Sequence, residues 1–123
     1  LVLTSPLTRC LQTTSLALCP GDLYVDGNRE PTVACLEALR EAHGMSYPDR
    51  RRTTSLLKQS WPQVHFDPTM TENDEQWSLT EREHVPDVMR RIQSSLTFVV
   101  GRPETNLVCV THGVWMECMF HAY

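Results

Sequence analysis

Apolar and polar positions along this chain fall into short runs and helical stripes. Leu1-Val2-Leu3 is an uninterrupted apolar run that stops at Thr4-Ser5-Pro6, the pattern of a short buried strand. Ser5 before Pro6 reads as a capping side chain followed by proline at the first helical position. Leu7, Leu11, Thr14 and Leu18 then recur at helical spacing, leaving Arg9, Gln12 and Thr13 elsewhere on the cylinder. Pro20-Gly21 ends this predicted helix. The plan repeats near the other end. Val85, Val88, Met89, Ile92, Leu96 and Val99 form a long apolar helical stripe closed by Gly101 and Pro103. Leu107 to Thr111 then reads as a fully apolar strand, His112-Gly113 as a turn, and Val114 to Tyr123 as a helix. Helix, short loop, apolar strand, turn and helix in this order predict a parallel α/β sheet.

The middle carries weaker patterns. Pro31 to His43 fits a helix through Val33, Leu36 and Leu39, and fits an extended stretch as well. Residues 44 to 84 hold Gly44, Pro48, Pro62 and Pro68 with the basic run Arg50-Arg51-Arg52, followed by the acidic stretch Glu72 to Glu83. This segment reads as an irregular insertion with one short helix near Thr54 to Trp61.

Composition narrows the class. The 123 residues are 41% hydrophobic and 21% charged, near globular averages, which argues against disorder. No apolar run approaches the ~20 residues of a membrane span. The net charge of -4 excludes a general basic field for nucleic acid or anionic lipid. Five cysteines are scattered without a C-x-x-C pair, which argues against a disulfide framework or a zinc site and predicts a cytoplasmic protein. His43, His65, His84 and His121 share no ligand spacing, and Glu72, Asp74 and Glu75 lack the glycine of a calcium loop, so no metal and no organic cofactor is expected.

In parallel sheets ligands bind beyond the carboxyl ends of the strands. Both clear strands deliver polar residues there: Thr4-Ser5 with Arg9 one turn on, and Thr111-His112-Gly113. The arginine fork suits phosphate oxygens, the histidine sits where a strand ends, and the glycine lets the backbone turn or approach a ligand. Together they predict a local anion site, most naturally for phosphate. Arg50-Arg51-Arg52, without interleaved aromatics, reads as a solvated loop or a substrate-anion contact, and Trp77 as a packing anchor or part of the substrate pocket.

Ser5-Pro6-Leu7-Thr8-Arg9-Cys10-Leu11-Gln12-Thr13 resembles the S-P-L-x-R-x-x-Q-T segment of the histidine phosphatase superfamily, and Val110-Thr111-His112-Gly113 its second histidine motif. Leu39-Arg40-Glu41 resembles the superfamily's acid/base segment. With Asp49-Arg50-Arg51-Arg52, Glu72-Asn73-Asp74-Glu75, Trp77 and Arg82-Glu83, the likeness narrows to the phosphoglycerate mutase-like proteins of plants and fungi. The resemblance implies a three-layer α/β/α domain over residues 1–123 with a mostly parallel central sheet. It also implies hydrolysis of small phosphomonoesters through a phospho-histidine, in preference to mutase activity. Matched by motif, Arg9 is a phosphate clamp, Glu41 the general acid/base and His112 the second histidine. Ser5 and Gly113 join Arg9 and His112 around the phosphate, and Arg50 and Trp77 meet the substrate.

No R-H-G occurs in the chain. The resemblance therefore places the nucleophilic histidine, and one strand of the sheet, before Leu1. That strand is expected beside those of Leu1–Thr4 and Leu107–Thr111. The family's Cys before its Asp-x-Arg element is Pro48 here, which leaves the role of Arg50 open. The rival reading is a non-catalytic module that binds a phospho-ligand or a protein and has lost the nucleophile. Other catalytic plans are absent: Cys35 and Arg40 are one residue short of C-x5-R, and there is no G-x-S-x-G, no P-loop and no G-x-G-x-x-G.

Overall fold

In the computed structural model, which describes residues 1–18 and 32–122, the apolar runs become short parallel strands. They are β1 (Val2–Thr4), β2 (Val33–Cys35), β3 (Val64–Phe66) and β4 (Val108–Val110), ordered β3-β2-β1-β4. Among the described residues four α-helices accompany them: α1 (Thr8–Ala17), α2 (Thr54–Ser60), α3 (Val85–Val100) and α4 (Gly113–Ala122). Successive strand residues point to opposite faces, so neighbouring rows serve different layers. The row of Leu3, beside Ala34, packs on Val88 and Ile92 of α3 and Trp115 of α4. The opposite row carries Cys35, packed with Leu11 of α1 and Leu57 of α2. This is the expected three-layer α/β/α arrangement, parallel at every pairing among the described residues.

Several boundaries differ from the sequence reading. Helix α1 begins at Thr8 after an extended Leu7 and has no side-chain cap. The Ser5 hydroxyl instead accepts from the Leu7 N–H at 3.3 Å and meets the His112 ring at 2.7 Å, because the turn draws it into a polar cluster. The stop at Pro20-Gly21, with Pro31 and Tyr123, lies outside the described residues. Val33–Cys35 is extended, not helical, because β1 and β3 pair along both its edges. A single turn of 3-10 helix follows at Glu37–Leu39.

The short helix near Thr54 is present and is capped by Thr53, whose hydroxyl accepts from the Leu56 N–H. β3 lies inside the stretch read as irregular. Three residues are too few to display an alternating pattern.

Val85, Val108 and Cys109 are exposed although they stand in apolar runs. Val85 is 60% exposed, since it opens α3 before the stripe meets the sheet. Ser95 takes a buried place in that helix, its hydroxyl donating to the Arg91 carbonyl at 2.9 Å. Among the described residues β4 is an edge strand, with Val108 45% exposed. β1 is paired on both sides, so of the two strands expected to neighbour an R-H-G strand only β4 has an open edge among the described residues.

Candidate functional site

Pairing of Thr4 with Val110 sets the carboxyl ends of β1 and β4 side by side, and the Ser5 N–H donates to the Val110 carbonyl at 3.0 Å. The residues just beyond, Ser5 and His112, therefore meet. The His112 ring is buried, with Nε2 2.7 Å from Ser5 Oγ and 3.3 Å from Cys10 Sγ. Its Nδ1 lies 3.1 Å from Nε of Arg9. An arginine Nε–H only donates, so Nδ1 accepts, and the neutral ring carries its proton on Nε2. Burial, followed by the charge of Arg9, pushes the His112 pKa down to about 4. The same cluster buries Cys10, whose thiol burial raises to about 11, leaving it a packing group and not a thiolate.

Arg9 reaches this histidine from the first turn of α1, and its other nitrogens are held from a distant loop. They donate to the Pro48 carbonyl at 2.7 Å and to Asp49 Oδ1 at 2.8 Å. Asp49 closes the 3-10 turn Tyr47–Asp49. Its second oxygen lies 3.6 Å from Nη1 of Arg82, which also donates to the Gly44 carbonyl at 3.2 Å.

Glu41 sits at the start of α4. Its carboxylate accepts from the backbone N–H groups of Val114 and Trp115, each at 3.3 Å, and from that of Ala42 at 3.0 Å. Helix N-termini present such unpaired donors. The Ala38–Glu41 segment is held in place by three side chains. Thr111 donates to the Leu39 carbonyl at 2.8 Å, the Trp115 indole to Ala38 at 2.9 Å, and Arg91 to the carbonyls of Ala38 and Arg40. Gly113 needs no left-handed conformation, so its expected turning role is not used. A Cβ there would meet nothing within 4 Å, which leaves the backbone open to a close approach.

The loop bearing Asp49 is zipped to the segment bearing Arg82. Gly44 has φ +92, and a Cβ on it would fall 1.9 Å from the Glu81 carbonyl oxygen. Met45 donates to the Ser78 carbonyl at 2.7 Å and the Trp77 indole to Ser46 at 2.9 Å. Arg50 lies over the Trp77 ring at 5.2 Å, and Tyr47 packs against the same ring. Trp77 is thus a packing anchor. Arg50 is stacked on it and, with Tyr47, Arg52 and Leu56, lines a cavity of about 440 Å³. Neither residue has a hydrogen bond to Arg9 or His112.

A larger cavity of about 750 Å³ is lined by Arg82 but by neither Arg9 nor His112. Of its carboxylates, Glu37, Asp74 and Glu83 are already paired with arginines. Arg40, 0% exposed, donates to Glu37 at 2.7 Å and to both oxygens of Asp74. Buried Arg51 joins it through Glu37 and through backbone carbonyls of Thr71 and Asn73. Arg51, read with its neighbours as a solvated loop or a substrate-anion contact, and Asp74, read as part of an acidic stretch, are therefore an internal tie between loops. Burial alone would raise the Asp74 carboxyl, but the hydrogen bonds from Arg40 outweigh it and hold the pKa low.

The geometry joins Ser5, Arg9 and His112 and brings Glu41 to the helix that starts beside them. Sequence reasoning missed Asp49, Cys10 and Arg82 as members of this group. Asp49 and Arg82 stood in motifs of the resemblance without a role, and nothing in the local pattern marked Cys10. A family model for the histidine phosphatase superfamily (branch 1) matches residues 1–123. The chain belongs to the histidine phosphatase superfamily. Among curated proteins it is 29% identical over 133 residues to Phosphoglycerate mutase-like protein 1 of Arabidopsis thaliana, covering 91% of this chain and 47% of that protein. It is 26% identical over 93 residues to another Arabidopsis thaliana Phosphoglycerate mutase-like protein, covering 76% of this chain and 34% of that one. The chain thus spans less than half the length of these curated relatives. No solved structure matches it. Among the described residues no helix is long and apolar enough to cross a membrane, and no group of three acidic, histidine or cysteine side chains is arranged to hold a metal.

Proposed function

We propose that this chain carries the phosphoryl-binding part of a phosphomonoester hydrolase that works through a phospho-histidine. The observation that carries the reading is the convergence of Arg9 Nε on His112 Nδ1 beside Ser5. It leaves His112 a neutral donor at Nε2 and puts a permanent cation next to it. A phosphoryl group entering there replaces Ser5 as acceptor of the Nε2 proton and takes free N–H groups of Arg9, which is 43% exposed. Donors aimed where charge develops are the main source of acceleration in such a transfer. Gly113 leaves room for the group to approach.

The nucleophile is an R-H-G histidine preceding Leu1, on a strand that pairs with the open edge of β4. Its ring nitrogen attacks phosphorus, the P–O bond to the alcohol breaks, and Glu41 protonates the leaving oxygen. Water then attacks the phospho-histidine, with Glu41 taking the proton back. Family membership supports phosphatase or mutase-like activity, and the second reading is a non-catalytic module that binds a phospho-ligand or a protein. Small phosphorylated substrates, cytoplasmic location and independence of metal and cofactor belong to the same proposal, with Arg50 and Trp77 bordering the substrate side.

The test is acid-labile, base-stable labelling of the full-length protein by a radiolabelled aryl phosphate, followed by release of inorganic phosphate. Labelling lost in a His112→Ala or Arg9→Ala variant supports hydrolysis. Binding of phosphate with neither labelling nor turnover supports the second reading.

A further inference from the structure

Glu41 stands on backbone that belongs to no helix or strand, since residues 40–43 follow the 3-10 turn Glu37–Leu39 without regular structure. Carbonyls on such a path have no ladder partners and need donors from elsewhere. Arg91 of α3 supplies them. Its Nη1 donates to the Ala38 and Arg40 carbonyls at 2.9 and 3.0 Å, and its Nη2 to the Glu41 carbonyl at 3.4 Å. The other N–H groups form a fork on Glu83, Nε to Oε1 at 2.7 Å and Nη2 to Oε2 at 2.6 Å. A guanidinium has five N–H donors, and all five of Arg91 are committed inside the protein. Glu83 grips the chain again just beyond Glu41. Its carboxylate accepts from the His43 N–H at 3.3 Å and lies 3.4 Å from the His43 ring, while its own N–H donates to the His43 carbonyl at 2.9 Å. The Glu83 side chain is 3% exposed and that of Arg91 15%, so water competes little for these bonds. One ion pair thus brackets Glu41 on both sides.

We infer that Arg91 is a positioning residue for the acid step, which with Glu83 fixes the backbone around Glu41 and so keeps its carboxylate at the N-terminus of α4. This rests on the reading of Glu41 as the general acid. Arg91 has no donor left for a substrate, so its influence passes through Glu41. The Glu41 carboxylate is tied to the backbone N–H groups of Ala42, Val114 and Trp115. Those bonds hold the tip of the side chain but do not set the path by which the chain reaches it. Thr111 adds one bond, to the Leu39 carbonyl. Arg91 holds the carbonyls of Ala38, Arg40 and Glu41 around it. Delivery of a proton to a leaving oxygen tolerates little displacement, about 1 Å costing up to about 100-fold in rate.

The test is steady-state turnover of p-nitrophenyl phosphate and benzyl phosphate by the full-length protein. The first has an activated leaving group, and the second needs its alcohol oxygen protonated. Arg91→Gln is expected to widen the ratio of the two kcat values by about tenfold or more, with kcat and not KM carrying the change. Arg91→Lys keeps a charge opposite Glu83 but lacks the fork, so it gives an intermediate ratio and carries the test if Arg91→Gln does not fold. Glu83→Gln, which releases the fork without removing the guanidinium, shifts the ratio in the same direction. A general loss of stability lowers both rates together and leaves the ratio at its wild-type value, and that result in the folded variants overturns the inference. So does a widening that Arg91→Gln still adds on top of Glu41→Gln, because the effect then bypasses Glu41. If Glu41→Gln alone leaves the ratio unchanged, the acid reading itself fails and the inference with it. If Glu41→Gln widens the ratio and the Arg91 variants do not, only the inference fails. Absence of turnover of either substrate by wild type overturns both.

Discussion

The backbone N–H of Trp115 donates to the Glu41 carboxylate across 74 residues of sequence. That bond sets the proposed acid at the N-terminus of the helix which begins one residue after His112. It also gives Glu41 a structural duty, since an N-terminal carboxylate satisfies orphan donors and favours the helix dipole. Two different losses follow from one substitution.

Glu41→Gln should lower stability by about 1 kcal/mol, the usual worth of a helix cap. In the full-length protein it should slow esters with poor leaving groups most and an activated aryl phosphate least, because the latter needs less protonation. Equal slowing of both substrates would assign Glu41 the capping duty alone.

Arg9→Ala should lower kcat/KM by about 100-fold or more, the scale of losing one donor to the developing charge. Inhibition by phosphate or vanadate should weaken in parallel. Unchanged kinetics would remove Arg9 from the site.

The low pKa of His112 makes a stability prediction. Its folded value of about 4 lies below the ordinary 6.5. Between the two the unfolded chain binds a proton that the folded chain does not. The stabilisation is complete above about 6.5 and is lost as pH falls towards 4. Denaturant unfolding of wild type and His112→Gln across that interval should converge as the pH drops. Parallel curves would contradict the burial-driven shift.

Glu83 shifts in the same sense for another reason. Burial would raise its carboxyl, but hydrogen bonds from His43 and Arg91 bring its pKa to about 2. Its contribution is present above the ordinary 4.5 and fades as pH falls towards 2. Glu83→Gln should therefore flatten the acid limb of the stability profile and leave the neutral limb parallel to wild type.

Arg40→Ala should cost about 3–5 kcal/mol, because it strands the buried Asp74 carboxylate without its guanidinium partner, while Glu37 keeps Arg51. Arg50→Ala, which loses only an exposed stack on Trp77, should cost less than about 1 kcal/mol. Comparable melting losses for the two would place the structural tie at the wrong arginine.

Much of the fold is legible because periodicity is local. Leu1-Val2-Leu3, the α3 stripe and the run from Leu107 name their element types by spacing alone, and strands alternating with helices imply a parallel sheet. Ser5, Arg9 and His112 could be nominated together because Ser5 and His112 lie just past strand ends and Arg9 one turn on, where the edge of any parallel sheet collects polar groups. What the sequence could not supply is which distant segments meet. Ser5 leaves its capping position because His112 is 2.7 Å away. Asp49 and Arg82 join Arg9 only because the Gly44–Asp49 loop is zipped to Ser78–Glu83. Arg40 is buried because Glu37, three residues earlier, and Asp74, from a distant segment, neutralise it. Among the described residues β4 has one open edge, and its apolar spelling does not tell which strands pair with it. Spacing along the chain selects the period of each element; pairing of charges and exclusion of water depend on neighbours that the chain brings together only when folded.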